Sequence, residues 1–197
     1  MRHDIHLSGH AFSLRPIELS DAPLIVSLRG HARRTRYLHR IPLDLRAQEG
    51  YLNRYFDRDG DYYFVIDRLA ADGDRAEGLI AIYDVDVEHR RAEWGRWVIR
   101  PRSLAAIESA WLIYRVGFER LGLEEMYCHT LVDNTAALSF HDRAGLVRHR
   151  RLEGFVELDG ERRDVIEHLL TRDQWRTTSV NLARRAQQLA LRMNGAG

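Results

Sequence analysis

Two side chains between Glu93 and Leu146 have the chemistry of proton transfer. His141 belongs to the residue type whose unperturbed pKa of about 6.5 lets it give or take a proton at neutral pH. Glu93 is a carboxylate in a run of strand-forming residues. In an extended strand it shares a face with Gly95, Trp97 and Ile99, where it can line a cleft and take a proton directly or through water. Each has an inert reading as well: a surface or capping histidine, one of ten in the chain, and a solvated charge at a strand end. Asn134 stands where a helix N-cap belongs. Cys128 is the one cysteine, which excludes an intramolecular disulfide. Inside a predicted strand it reads as a buried, inert thiol rather than a nucleophile.

The elements around these residues follow from pattern. Glu93 to Arg100 is dense in aromatic and β-branched residues and is stopped by Pro101, so it reads as a strand. Leu104, Ile107, Trp111, Tyr114, Phe118 and Leu121 recur at spacings of three and four, which predicts a helix over Leu104 to Leu121, ended by Gly122. Met126 to Val132 is a second strand, and a helix from Asn134 to Gly145 follows. Strand, crossover helix and strand in succession imply a parallel pair. Before them come a strand at Phe12 to Ile17, a helix start at Ser20-Asp21-Ala22-Pro23, and a helix at Leu45 to Phe56. A hairpin then joins Tyr62 to Ile66 and Gly78 to Val85 through Ala71 to Asp74. After them Asp159-Gly160 joins Leu146 to Leu158 and Arg163 to Leu170 as a second hairpin, and a polar helical tail runs from Arg172 to about Met193. The sheet changes character at the strands of Trp97 and Cys128, the kind of place where ligands settle against a helix N-terminus.

A chain of 197 residues with 45% hydrophobic content fills one core, so a single domain over 1–170 with a helical tail over 171–197 is expected. A net charge of +1 gives no global field for nucleic acid, which is set aside as a partner. Met1 to His6 has no apolar signal core and no apolar run is long enough to span a bilayer, so a cytoplasmic location without a membrane partner is expected. No metal site is expected.

These residues resemble the GNAT superfamily of acyl-CoA-dependent N-acetyltransferases, in element order from Phe12 to Leu170. Ala92 to Ile99 followed by Pro101 looks like the family's fourth strand, and Phe118-Glu119-Arg120-Leu121-Gly122-Leu123 is similar to the end of its central helix. Asp133-Asn134, a helix and then Gly145-Leu146 resembles its closing motif, with His141 between them. The resemblance implies an α/β fold of α+β mixed-sheet type, an antiparallel N-terminal half joined to a central parallel strand pair with helices on both faces. It implies acetyl-CoA as co-substrate. Trp97, Val98 and Ile99 would lend main-chain groups to pantetheine, one amide polarising the thioester carbonyl. Arg100, Arg102, Ser103, Leu104, Ala105 and Ala106 would form the turn over the pyrophosphate, and Asn134 would add a contact to its capping role. The family's turn is rich in glycine, which lets backbone approach closely; Arg100 to Ala106 contains none. Helix-terminal amides survive any side chain, so cofactor binding stays the expectation and a non-catalytic acyl-CoA-binding module the alternative.

Acetyl transfer needs a neutral amine, a polarised carbonyl and a proton for the departing thiolate. The resemblance puts His141 where many members carry a tyrosine that protonates the CoA sulfur, and puts Glu93 on the acceptor side. His141 together with Asp159-Gly160 and Asp164 is similar to acetyltransferases acting on nucleotide-linked amino sugars, so the acceptor is expected to be a small-molecule amine. A protein N-terminal amine, as in the ribosomal-protein branch, comes second. Arg33, Arg34, Arg36 and Arg40 fall in the segment that covers the acceptor site in that fold. Guanidinium pairs well with phosphate, although a solvated helix face is the commoner reason for such a run. Tyr37, Tyr62, Tyr63 and Trp94 can stack on a sugar or base, while most aromatics pack. The tail, with Trp175, Val180, Ala183, Ala186, Leu189 and Met193 apolar, either docks back or pairs with a second subunit in a homodimer.

Overall fold

The alternation that predicts the first strand forms it: β1 (Leu7–Ser8) and β2 (Phe12–Pro16) make the first antiparallel pair, Leu7 opposite Leu14. The computed structural model describes residues 2–31, 35–69 and 75–194. Helix α1 (Ala22–Arg29) has proline in its first turn, and α2 (Leu45–Phe56) is capped by Asp44, whose carboxylate accepts the Ala47 amide at 2.9 Å. Strands β3 (Tyr62–Arg68), β4 (Arg75–Asp86) and β5 (Arg91–Ile99) follow; the expected turn at 71–74 lies outside the described residues. Helix α3 (Ala106–Arg115) crosses to β6 (Glu125–Leu131), α4 (Thr135–Ala144) leads to the hairpin β7 (Val147–Leu158) and β8 (Glu161–Thr171), and α5 (Arg172–Asn194) ends the chain.

The eight strands form one sheet in the order β1-β2-β3-β4-β5-β6-β8-β7, with β5 and β6 its parallel pair. This is the mixed sheet the residue pattern implies. Period-two alternation divides it into two cores. Phe64, Ile66, Ile80 and Ile82 face α3 and α5 with Tyr114, Phe118 and Trp175; Val65, Leu79, Ala81 and Val98 face α1 and α2 with Ile25, Leu52 and Tyr55. None of the described helices is long and apolar enough to cross a membrane.

Three expectations change. The helix predicted over Leu104 to Leu121 is α-helical only to Arg115 and widens into a π-turn at Val116–Arg120. Gly117 lies inside that turn, where an added Cβ would stand 2.1 Å from Met126 Sδ, so a larger residue there would have to displace the buried Met126 side chain. The tail docks back on the domain through Trp175, Leu182, Ala186 and Ala190, and Val180, expected on the apolar face, is 67% exposed. The third change concerns β5. Gly95 pairs with Ala81 but Val98 pairs with Leu79, so β5 holds one extra residue, a bulge with Arg96 at φ +48°. The bulge breaks the alternation: Glu93, Gly95 and Val98 share a face, while Trp97 packs with Trp94 and Ile99 on the α3 side.

Candidate active site

The parallel pairing of β5 and β6 consists of Arg91 with Glu125, Ala92 with Met126 and Glu93 with Tyr127. Past Glu93 the two strands part, β5 continuing to Ile99 and β6 to Leu131 without pairing to each other. Their facing main-chain groups therefore border an opening instead of a ladder, the setting in which an extended, amide-bearing chain can hydrogen-bond along a strand. The opening holds a cleft of about 300 Å³ lined by Glu93, Trp97, Cys128, His129, Asn134 and His141 among others. Tyr37 and His39 close it from the segment before α2, with the Tyr37 hydroxyl donating to the Asp133 carbonyl at 3.0 Å.

Glu93 sits at the fork. Its Oε1 accepts from the Tyr83 hydroxyl at 3.1 Å and its Oε2 lies 3.0 Å from His129 Nδ1. His129 Nε2 lies 3.0 Å from Glu167 Oε2, and Glu167 is held by Arg150 through Nε at 2.9 Å and Nη2 at 3.1 Å. A carboxylate against each ring nitrogen favours the imidazolium form of His129, in which both N–H groups find an acceptor. Burial pulls the His129 pKa down, but the bonds to Glu93 and Glu167 outweigh it and leave it above 6.5. Burial pushes Glu167 up, and Arg150 and His129 return it below the ordinary carboxylate range. Burial and the Glu93 charge keep the Tyr83 phenol protonated, so it donates. The result is a chain of alternating charge from the cleft to the surface at Arg150. Of its members the sequence reading found Glu93 alone. Glu167 inside the apolar run Val165 to Leu170 was the available signal, because a carboxylate buried in a strand needs a partner.

His141 is buried, 4% exposed, with Nε2 3.7 Å from Cys128 Sγ and Nδ1 without a partner among the described residues. The rings of Trp94 and His168 stand 5.4 and 5.1 Å away. Burial, aided by His168, pushes its pKa down to about 3, which replaces the ordinary value the sequence reading gave it. The ring is neutral at neutral pH and offers an N–H hydrogen bond, not a transferable imidazolium proton. Cys128 is buried and burial pushes its thiol up, in keeping with an inert core residue. An aromatic disulfide reagent is expected to leave the native protein unmodified and to titrate Cys128 only in denaturant; labelling of the native protein at the rate of a free thiol would contradict this.

The turn into α3 is built without glycine. Arg102 takes φ +66°, a conformation ordinarily left to glycine, and stays exposed with no ion pair among the described residues. Arg100 Nε donates to the Ala76 carbonyl at 2.8 Å, and Ser103 Oγ binds Glu77 and accepts the Ala105 amide at 3.2 Å. Leu104 is 47% exposed, while Ala105 is buried. The first-turn amides of α3 point out of the helix end, a setting suited to an anion. Glu108 anchors this end from beneath: its buried carboxylate accepts the Ala11 amide at 3.0 Å and the His10 amide. Asn134 Oδ1 caps α4 by accepting the Ala137 amide at 3.3 Å, as predicted. Among the aromatics considered for stacking, Trp94 and Tyr63 are buried, and Trp94 Nε1 donates to Tyr114 at 2.7 Å. Arg33 and Arg34 lie outside the described residues, Arg36 covers Tyr37, and Arg40 pairs with Asp159 at 2.8 Å.

The fold recurs in known proteins. No curated protein matches the chain in sequence. The apo form of FdhC, a nucleotide-linked sugar GNAT, superposes with a TM-score of 0.76 at 25% identity, covering 92% of this chain and 98% of its own. A GCN5-related N-acetyltransferase from Brucella melitensis gives 0.81 at 18% identity over 94% and 86% of the two chains. Spermidine N-acetyltransferase from Vibrio cholerae in complex with CoA and spermine gives 0.74 at 21% identity over 84% and 98%. At those identities the last two speak for the fold alone. In sequence, the acetyltransferase (GNAT) domain profile matches residues 12–147, so the fork, the bulge and the α4 cap all lie inside the match. The chain belongs to the GNAT acetyltransferase family and is an N-acetyltransferase that uses acetyl-CoA as co-substrate.

Proposed function

We propose that the acceptor is the primary amine of a small molecule, in the first instance a nucleotide-linked amino sugar, and that it attacks acetyl-CoA directly in a ternary complex. The observation that carries this reading is Glu93 at the mouth of the strand fork, hydrogen-bonded to Tyr83 and His129. The residues suit the co-substrate. Trp97, Val98 and Ile99 would offer main-chain groups to pantetheine, Arg102 and the first-turn amide of Ala106 would hold the pyrophosphate, and Asn134 would border the thioester end. Arg100 and Ser103 would hold the turn in shape through β4.

In the reaction the C–N bond forms as the C–S bond breaks, the amine loses a proton and the thiolate gains one. Glu93 takes the amine proton directly or through water. An amide of the β5 bulge polarises the carbonyl, the kind of electrostatic help that is usually a large term in acyl transfer. His141, neutral, hydrogen-bonds the departing sulfur, which is protonated from solvent.

Calorimetry with acetyl-CoA and a thiol-release assay over UDP-linked amino sugars, spermidine and peptide N-terminal amines test the reading. Saturable acetyl-CoA binding and release with the nucleotide sugars are expected. No binding at millimolar acetyl-CoA would overturn the catalytic role, and release with peptides alone would reassign the acceptor to protein N-termini.

A further inference from the structure

A second cavity, of about 730 Å³, opens between α1, α2 and the sheet and meets the cleft at Leu38, His39, Tyr83 and Arg96, which line both. Its charged lining among the described residues is Arg29 of α1, Arg46 and Arg54 of α2, and Arg96 of β5, with no carboxylate among them. Arg96 is neutralised by Asp61 at 2.6 and 2.9 Å. The other three have no carboxylate partner among the described residues. Arg29 gives one N–H to the His39 carbonyl, while its Nε is buried without a partner. Arg46, Gly50 and Arg54 recur every four residues along one face of α2. At Gly50 a Cβ would meet only Arg54 Nη1, at 3.5 Å, so the glycine leaves open floor between the two guanidinium groups.

A solvated helix face accounts for Arg46 and Arg54 taken alone, since both are exposed. It does not account for the buried, unmatched Nε of Arg29, a residue that lines the same space. Three like charges around one cavity repel one another, and an anion placed among them removes that cost. The planar fork of arginine matches phosphate oxygens in pairs. The cavity is of the size that holds a drug-sized ligand, for which about 300–1,000 Å³ is usual.

We infer that this cavity seats the phosphate groups of the acceptor, which is therefore an amine bearing a phosphate or diphosphate ester whose amino end reaches Glu93 past Tyr83 and Arg96. The amino end rests on the acetyl-transfer reading above, whereas the phosphate seat rests on the arginines. A polyamine is the wrong charge for it.

The test is calorimetry with inorganic pyrophosphate added to protein already saturated with CoA, so that the co-substrate's own anion site is filled. Saturable one-to-one binding is expected, weakened tenfold or more in the Arg46→Gln/Arg54→Gln double variant and again in Arg29→Gln. The exposed pair serves as the fold-neutral variant, checked by an unchanged melting temperature and unchanged acetyl-CoA affinity. Absence of saturable binding, or binding equal in the wild type and both variants, overturns the inference. Should acetyl-CoA itself fail to bind, the catalytic reading falls, and pyrophosphate titrated alone into the wild type and the same variants still decides the cavity.

Discussion

Glu93→Gln is expected to lower kcat by about 10²–10⁴-fold, the range of a general base, with acetyl-CoA affinity changed less than about threefold. Glutamine keeps the shape of the side chain and can still accept the Tyr83 hydroxyl, but it cannot take a proton from the amine. The fork and its main-chain groups stay in place, so the loss falls on turnover and not on co-substrate binding. The pH profile carries the second half of the prediction. His129 is the next group along the chain of charge and its pKa is raised above 6.5. His129 is expected to be the next acceptor of the proton that Glu93 takes, and a protonated His129 cannot accept it, so kcat is expected to fall as the pH drops through the raised folded value. The sign for stability is opposite: the charged pair of bonds to Glu93 and Glu167 stabilises the fold fully below about pH 6.5 and is lost as the pH rises through the folded pKa. Activity therefore grows in the window where this contribution to stability fades. Glu167→Gln removes one of the two carboxylates and should move the acidic limb to lower pH while leaving Glu93 in place, which marks Glu167 as a positioning residue. A Glu93→Gln enzyme within tenfold of wild-type kcat would take the base role away from Glu93.

The elements of this fold were legible because each has a local cause. The closing hairpin announces itself by Asp159-Gly160 and the α4 start by Asn134, and both stand where the pattern puts them, as does the 45–56 helix. Glu93 and His141 were legible as candidates, and both line the cleft. Their chemistry was not. The pKa of His141 is set by Trp94, Cys128 and His168, which come from strands well separated in the chain, and no local pattern encodes that burial. His129 and Glu167 meet only because β6 pairs with β8 across the whole β7 crossover, placing His129 directly opposite Glu167. The arginines of the second cavity are likewise dispersed over α1, α2 and β5, so no single stretch of sequence groups them. The bulge is a smaller case of the same kind. Gly95 in mid-strand permits a bulge, but nothing in Glu93 to Ile99 taken alone requires one; the register of β4 and the partner at Asp61 do.

That bulge carries the largest stability effect expected here. Arg96 holds φ +48° in mid-strand, its guanidinium bound in a fork to Asp61 and laid over the rings of Tyr83 at 4.6 Å and Tyr63 at 5.6 Å. Asp61 is only 5% exposed. Arg96→Ala leaves that carboxylate buried and unpaired and is expected to cost about 3–5 kcal/mol. At a shift of about 2–4 °C per kcal/mol for a chain of this size, the melting temperature should fall by about 6–20 °C. Arg96→Gly loses the same ion pair but relaxes the left-handed backbone, so it should be less harmful than alanine by about 1 kcal/mol. Asp61→Asn combined with Arg96→Ala removes the stranded charge and should recover part of the loss, which a double-mutant cycle reads as coupling of about 0.5–3 kcal/mol. Both single substitutions melting within 2 °C of wild type would show that the bulge does not depend on this pair. The functional consequence follows from Tyr83, which lies under the Arg96 guanidinium and donates to Glu93. A freed Tyr83 no longer fixes the carboxylate at the fork, and a β5 that slips back into regular register turns Trp97 to the opposite face, away from the α3 side. In Arg96→Ala protein held well below its melting temperature, kcat and acetyl-CoA affinity should fall together, unlike Glu93→Gln, where turnover alone is lost.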